Sequence, residues 1–170
     1  MKRALKVAAL VGIGLFVLIQ LVPYGWRHPN PPVTQDAPWP DESSARIARE
    51  SCYDCHSNEV DWPIYSHVAP MSWLVRWDVE NARDKLNFSE WDEYSGEADD
   101  AIEQIEEGSM PLDRYTLIHR DGRLTDEEAA TLAVALAQMR DEDGAGAGGD
   151  DSSGRGGGDH DGGEDERDDD

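Results

Sequence analysis

The only two cysteines of this chain lie three residues apart, and a histidine directly follows the second one. They are Cys52 and Cys55, with His56, in the segment SCYDCH. Four kinds of chemistry use this spacing: a disulfide bond, a redox-active dithiol, half of a zinc site, and the covalent attachment of haem. The remainder of the sequence has to discriminate among them.

Three of these chemistries fit the sequence poorly. A disulfide between Cys52 and Cys55 would close a very short loop and restrain little of the unfolded chain. A thioredoxin-like dithiol belongs next to a β-α-β unit, and no such pattern is visible in the sequence. A structural zinc site needs four ligands, usually from two clusters, whereas this chain has one cysteine pair.

The fourth chemistry fits well, because C-x-x-C-H is the attachment signature of c-type haem. Two thiols one helical turn apart can reach the two vinyl groups of one porphyrin, and the next residue then presents its imidazole to the iron. We therefore predict that Cys52 and Cys55 bind one covalent haem c and that His56 is the proximal ligand of its iron. The same prediction places the haem outside the cytoplasm, where covalent haem attachment takes place.

The second axial ligand of the iron has several candidates. Met110 lies in the segment EEGSMPLDRY, between Gly108 and Pro111, just past the end of a predicted helix. A methionine in such a loop, next to a proline that restricts the backbone, can be directed at a metal, so Met110 is the predicted ligand. Ligation by His and Met raises the reduction potential of a haem relative to ligation by two histidines. The other candidates are Met71, Met139, His67 and His119.

Aromatic and basic residues near the motif have two interpretations each. The tryptophans and tyrosines between residues 62 and 91 either form the core of a small helical domain or wall the haem. Arg76 and Arg114 are candidate partners for haem propionates, because guanidinium pairs well with carboxylate. A solvated surface position is the more frequent environment of an arginine.

The N-terminal segment has the composition of a membrane anchor. Three positive residues precede Val7–Val22, a stretch with no charge and one polar residue, Gln20. From Ala4 onward it has 19 residues, enough at ~1.5 Å per residue to cross ~30 Å of hydrocarbon. A signal peptide would have a shorter apolar region and a cleavage site. We predict an uncleaved single-pass transmembrane helix in the cell membrane, with the N-terminus cytoplasmic and the haem domain periplasmic or otherwise extracytoplasmic.

The sequence divides into four parts. Residues 1–23 form the predicted anchor, and residues 24–40, which are rich in proline, form a predicted stiff spacer. Residues 41–140 form the predicted haem-binding domain. Residues 141–170 hold 13 acidic residues, 2 arginines and no apolar residue larger than alanine, so we expect a disordered acidic tail.

The apolar pattern of the predicted domain is helical throughout. Apolar residues recur at helical spacing in four stretches, which begin near Asp41, at Pro70, at Glu97 and after Thr125. Thr125 and Glu128 form a predicted capping box. No stretch alternates long enough to predict a strand, so the fold class is predicted to be all-α. The predicted inner face of the last helix consists of Leu132, Ala135, Leu136 and Met139.

The charge of the chain bears on its partners. The formal net charge is −22, from 37 acidic and 15 basic residues. Binding to nucleic acid requires a basic surface, so we expect no nucleic-acid partner. An acidic protein attracts basic partners instead, and the redox partner stays unidentified at this level.

Several sequence blocks resemble the bacterial haem-binding domain family of small cytochrome c-like proteins. The resemblance covers residues 44–139 and includes, in order, C-x-x-C-H, W-P-x-Y-S, A-P-x-S-W, N-F-S-E-W and M-P-x-x-x-Y-T-L-I-H. It implies a cytochrome c-like helical domain around one covalent haem, preceded by one transmembrane helix. Carried over to this chain, it implies thioether bonds at Cys52 and Cys55, with His56 as the proximal and Met110 as the distal ligand. The long acidic tail departs from the family pattern.

These observations favour an electron carrier over an enzyme. We expect a membrane-tethered extracytoplasmic protein that transfers electrons through a haem iron ligated by histidine and methionine. The alternative is a haem-based sensor or a peroxidase-like enzyme, which needs a labile sixth iron position. A third hypothesis has no haem and a simple disulfide in a binding domain.

Overall fold

The computed structural model of the chain describes residues 1–146. Those residues are helical, with one isolated bridge between Gln35 and Glu90 in place of a sheet, so the all-α prediction is confirmed for this part of the chain. The predicted tail begins inside the last helix, and its residues from 147 onward lie outside the described residues. The α-helices are α1 (Lys2–Ile19), α2 (Glu42–Ser51), α3 (Tyr53–His56), α4 (Met71–Arg83), α5 (Trp91–Tyr94), α6 (Ala98–Glu106), α7 (Asp113–Thr116) and α8 (Asp126–Gly146). Short 3₁₀ turns cover Ile64–His67, Ser95–Glu97 and Arg120–Gly122.

Helix α1 is shorter than the predicted anchor. It begins at Lys2 and ends at Ile19, so the three N-terminal positive residues lie within it. Its uncharged part, residues 7–19, is about 20 Å long at ~1.5 Å per residue, against ~30 Å of hydrocarbon. Within residues 1–146, no helix combines the length and the apolar character that a membrane span requires. The prediction of a transmembrane helix is therefore wrong.

Residues 24–40, the predicted spacer, lie against the domain. The N–H of Gln35 donates to the carbonyl of Ser89 at 3.1 Å, and the N–H of Ala37 donates to the carbonyl of Phe88 at 2.8 Å. Ala37 itself is buried in the core. Prolines exclude a helix here, but the other residues keep N–H groups that pair with a neighbouring loop. The segment is thus part of the folded unit.

Helix α2 begins where the sequence predicts, directly after Asp41. The side chain of Asp41 accepts hydrogen bonds from the N–H groups of Ser43 and Ser44, as expected of an N-cap. The helix stops before Cys52, whose φ of −124° and ψ of −38° separate α2 from α3. The two cysteines therefore do not share one helix.

Helix α8 contributes one face to the hydrophobic core. Its capping box is confirmed, because the N–H of Glu128 donates to Thr125 Oγ1 at 3.2 Å and the N–H of Thr125 donates to the Glu128 carboxylate at 2.9 Å. The helix packs against α2 and α6. Its predicted inner face is also confirmed, with exposed fractions of 1% or 2% at Leu132, Ala135, Leu136 and Met139.

Candidate functional site

A mainly apolar cavity of about 600 Å³ lies beside the cysteine motif. This volume is in the range of roughly 300–1,000 Å³ that is typical of sites for small molecules and cofactors. Most exposed residues of its lining lie on or next to α4 and α6, so the cavity opens to solvent along these helices. Its lining includes all four residues that the sequence predicts to hold a haem: Cys52, Cys55, His56 and Met110.

Two parts of the lining carry these side chains, and we name them for His56 and Met110, the two predicted iron ligands. The histidine wall is residues 52–56 together with residues 86–89, which pack on them. The methionine wall is residues 108–116. Each wall is held by a different kind of contact.

In the histidine wall, the imidazole of His56 has a defined tautomer. Its Nδ1 lies 3.0 Å from the carbonyl oxygen of Leu86. A carbonyl can only accept a hydrogen bond, so Nδ1 carries the proton and Nε2 keeps a free lone pair. Burial lowers the pKa of His56, and hydrogen bonds to backbone carbonyls oppose this shift. A neutral imidazole whose other nitrogen donates to a carbonyl is the usual state of a metal-ligating histidine.

A buried polar network fixes the same wall. The N–H of Phe88 donates to the carbonyl of His56 at 2.8 Å. Asn87 donates through Nδ2 to Asn58 Oδ1 at 3.0 Å and accepts through Oδ1 from the N–H of Ser89. Asn58 closes the network, because its N–H donates to Ser89 Oγ at 2.9 Å. A buried network whose hydrogen bonds are all satisfied rigidifies its surroundings. The N-F-S-E-W block therefore holds the segment that carries His56 in place.

The two cysteines are free thiols in a poorly hydrated environment. Burial raises the pKa of Cys52 to about 12 and that of Cys55 to about 12. A redox-active dithiol has a thiol of lowered pKa instead, because the thiolate is its nucleophile. In the described part of the chain, no three or more His, Cys, Asp or Glu residues are grouped to hold a metal ion, so a zinc site gains no support. The arrangement thus supports neither the redox-active dithiol nor the zinc site.

Met110 follows a helix end that depends on a glycine. Gly108 has a φ of +69°, in the left-handed region. Its N–H donates to the carbonyl of Ile105 at 3.1 Å, and the N–H of Ser109 donates to that of Gln104 at 3.0 Å, which together form a Schellman motif. The N–H of Met110 donates to the same Gln104 carbonyl at 3.1 Å. The end of α6 thus places Met110 directly at the cavity.

Among the candidates for the second axial ligand, Met110 is the one that lines the cavity. Met139 is 1% exposed and packs in the core. The ring of His67 lies 4.2 Å from that of another histidine. His119 Nε2 lies 2.6 Å from a tyrosine hydroxyl. Met71 is half-buried at the start of α4, outside the lining.

The structure separates the two candidate partners of haem propionates. Arg114 lines the cavity and donates to both carboxylate oxygens of Asp78, at 2.6 and 3.2 Å. Arg76 lies outside the lining and donates to Glu80 at 2.6 Å. Arg114 therefore stays a candidate for contact with the bound group, whereas Arg76 is engaged elsewhere.

Functional contacts that sequence reasoning missed involve aspartates. The hydroxyl of Tyr115 donates to the carboxylate of Asp54 at 2.9 Å, and Asp54 lies between the two motif cysteines. Asp78 is the partner of Arg114. These pairs are 61 and 36 residues apart along the chain, so no local pattern could reveal them.

A model of the Haem-binding domain family matches residues 14–138 of the chain. The match includes every residue of the cavity lining and the N-terminal segment that packs on the domain. No curated protein and no solved structure is significantly similar to the chain. Because the family match extends over more than half of the sequence, this chain belongs to the Haem-binding domain family.

Proposed function

We propose that this haem-binding protein is a c-type monohaem electron carrier that works outside the cytoplasm. Cys52 and Cys55 hold the haem by thioether bonds, and His56 and Met110 ligate its iron. One observation carries the proposal: these four side chains line the same mainly apolar cavity, although Met110 is distant in sequence from the other three.

The residues present fit a covalent haem. Both thiols are available for thioether bonds, because the structure has no disulfide between them. The Nε2 lone pair of His56 is free for a metal, since Nδ1 is occupied by the Leu86 carbonyl. The thioether of Met110 supplies a second soft donor of the kind found in c-type cytochromes. Apolar residues around these donors exclude water, which helps to set the reduction potential.

The bound haem would supply a one-electron couple between ferrous and ferric iron. The chain's own residues determine how that couple behaves. The carbonyl of Leu86 keeps the imidazole of His56 in one orientation, and the N–H of Phe88 holds the backbone carbonyl of His56. Met110, in place of a second histidine, shifts the couple to a higher potential.

The C-x-x-C-H motif also supports the proposed location, because covalent haem attachment is completed outside the cytoplasm. A net charge of −22 supports a basic redox partner, since like charges slow the encounter of two proteins and opposite charges accelerate it.

The first test is the mass and the haem content of the protein made in a host that attaches haem covalently. We expect an intact mass that exceeds the mass of the chain by one haem, together with a pyridine haemochrome spectrum of the c type. Replacing both thiols (Cys52→Ser with Cys55→Ser) should abolish the added mass. A wild-type protein that weighs no more than its amino acids would overturn the proposal.

The second test is the optical spectrum in both oxidation states. We expect a low-spin ferric form with a methionine-to-iron charge-transfer band that Met110→Ala removes. Met71→Ala is the matched control, since Met71 lies outside the cavity lining and the band should persist. A five-coordinate, high-spin ferric wild type that binds peroxide readily would favour the sensor or peroxidase-like alternative instead.

A further inference from the structure

We propose that Tyr115 and Arg114 are positioning residues for the sixth iron ligand: Tyr115 joins the methionine wall to the histidine wall, Arg114 joins it to α4, and together they hold Met110 at the cavity. This inference rests on the proposed function, because it assumes that Met110 is an axial ligand. The contacts of Tyr115 and Arg114 give a structural reason why external ligands would not reach the sixth position of the iron.

The argument starts from the unequal support on the two sides of Met110. On its N-terminal side, the Schellman motif attaches the loop to α6. On its C-terminal side lies α7, which has four residues and is far too short to be stable alone. The apolar residues that follow it add little packing, because Leu117 and Ile118 are 76% and 56% exposed. Side-chain contacts of α7 must therefore hold this side of the loop.

Tyr115 provides the stronger of these contacts. Its hydroxyl donates to the Asp54 carboxylate at 2.9 Å, and hydrogen bonds to a charged acceptor are stronger than neutral ones. Its ring stacks on His119 with the centroids 4.5 Å apart and the planes at 8°. On another side the ring approaches Gly122 so closely that a Cβ there would lie 2.6 Å from Tyr115 Cε1. The ring is confined, so its hydroxyl stays aimed at Asp54.

Arg114 provides a second contact of a different kind. Its guanidinium forms a two-point pair with Asp78, whose side chain is 15% exposed. The side chain of Arg114 is 47% exposed, so solvent and salt weaken this pair. Asp54 belongs to α3 and Asp78 to α4, and these two helices pack against each other. Both contacts therefore bind α7 to the same body, the one that carries His56.

Releasing these contacts frees α7, and with it the loop that presents Met110. The methionine then competes less well for the iron, so an external ligand gains access to the sixth position. Tyr115 and Arg114 in this way keep the site in the state of a closed electron carrier.

The test uses Tyr115→Phe in the full-length haem-loaded protein, since this change keeps the ring and removes the hydroxyl. Tyr24→Phe is the matched control, because it removes a tyrosine–carboxylate hydrogen bond of 2.8 Å to Glu80, outside the cavity lining. The first readout is amide hydrogen exchange at residues 115–117, whose N–H groups donate within α7. The second is the affinity of the ferric form for imidazole, which competes with methionine.

We expect Tyr115→Phe to accelerate exchange at residues 115–117 about 10-fold and to tighten imidazole binding about 10-fold, which are the effects of losing one charged hydrogen bond. Tyr24→Phe should change neither. Asp78→Asn, which keeps the shape of the side chain, should produce a smaller change of the same sign that shrinks at high salt. If Tyr115→Phe does not fold, Asp78→Asn tests the positioning role by the same two readouts.

A failure of the proposed function and a failure of the positioning role would give different results. A wild type without the methionine-to-iron band would overturn the proposed ligation, and with it the role assigned to Tyr115 and Arg114. A wild type that shows the band, with exchange and imidazole affinity unchanged in Tyr115→Phe and Asp78→Asn, would overturn the positioning role and leave the proposed function standing.

Discussion

The histidine wall and the methionine wall line one cavity but are stabilised by different means. Around His56, the supporting side chains of Asn58, Asn87 and Ser89 are at most 2% exposed and hydrogen-bond to one another. Around Met110, the support comes from half-buried Tyr115 and from Arg114, whose side chain is 47% exposed.

This difference has a consequence for the two proposed iron ligands, His56 and Met110. Buried, satisfied networks open at a cost close to that of unfolding the whole domain, whereas short exposed elements open locally and cheaply. We therefore expect His56 to be fixed as firmly as the fold itself. The position of Met110 depends on a few contacts near the surface, so we expect small changes in them to be enough to move it.

The largest expected effect comes from breaking the histidine wall with Asn87→Ala. Removing this side chain leaves buried polar groups of Asn58 and Ser89 without their partner, at a cost of about 2–3 kcal/mol in the free energy of unfolding. Chemical denaturation measures this free energy. The control is Asn81→Ala at an exposed position, where the side chain donates to a carbonyl of its own helix and the expected cost is about 0.5 kcal/mol or less.

Equal losses in Asn87→Ala and Asn81→Ala would contradict the comparison, because the buried network would then be no more important than a surface hydrogen bond. A loss confined to haem ligation, with the unfolding free energy unchanged, would contradict the view that the wall is part of the global fold.

The chemistry of this site is encoded in short stretches of sequence, and its supports are not. The spacing of Cys52, Cys55 and His56, the stop at Gly108 and the capping box at Thr125 are local features, so each is visible without a structure. Two of them, the helix end and the capping box, are found in the structure as predicted. The roles predicted for the two cysteines and the histidine stay predictions until haem binding is measured.

The contacts that orient these residues join distant parts of the chain. Asn58 and Asn87 are 29 residues apart, and Asp54 and Tyr115 are 61 apart, so composition and periodicity carry no trace of either pair. The anchor was predicted wrongly for a related reason. Hydropathy marks an apolar stretch up to Val22, but it does not show where the helix ends, and α1 ends at Ile19.

A smaller effect is expected from crowding the methionine wall with Gly122→Ala. The new Cβ would lie 2.6 Å from Tyr115 Cε1, and the ring is stacked on His119, which restricts its retreat. We expect a loss of about 1–2 kcal/mol in the free energy of unfolding, in the range of an overpacked site. Hydrogen exchange at residues 115–117 should accelerate as well, whereas exchange in residues 86–89 should not.

Gly96→Ala is the control for this change, because a Cβ at Gly96 meets no atom within 4 Å. It should leave both readouts as in the wild type. If Gly122→Ala accelerated hydrogen exchange equally at residues 86–89, the two walls would open together and not independently.

The smallest expected effect concerns acid and the N-cap of α2, the helix that leads into the histidine wall. Hydrogen bonds from the backbone and the side chain of Ser44 lower the pKa of the Asp41 carboxyl below its usual 3.8. A carboxyl with a lowered pKa in the folded state contributes stability above its unfolded pKa, and this contribution is lost as the pH falls through the folded pKa. Asparagine caps helices as well as aspartate does but does not titrate in this range. The free energy of unfolding of Asp41→Asn should therefore match that of the wild type near neutral pH and decline less between about pH 5 and about pH 2, measured by denaturation at each pH. Glu93→Gln is the control, because it removes one negative charge from this acidic protein at an exposed position outside the cap. If the free energy of unfolding declines equally with acid in both variants, the cap contributes nothing specific to the acid sensitivity of α2.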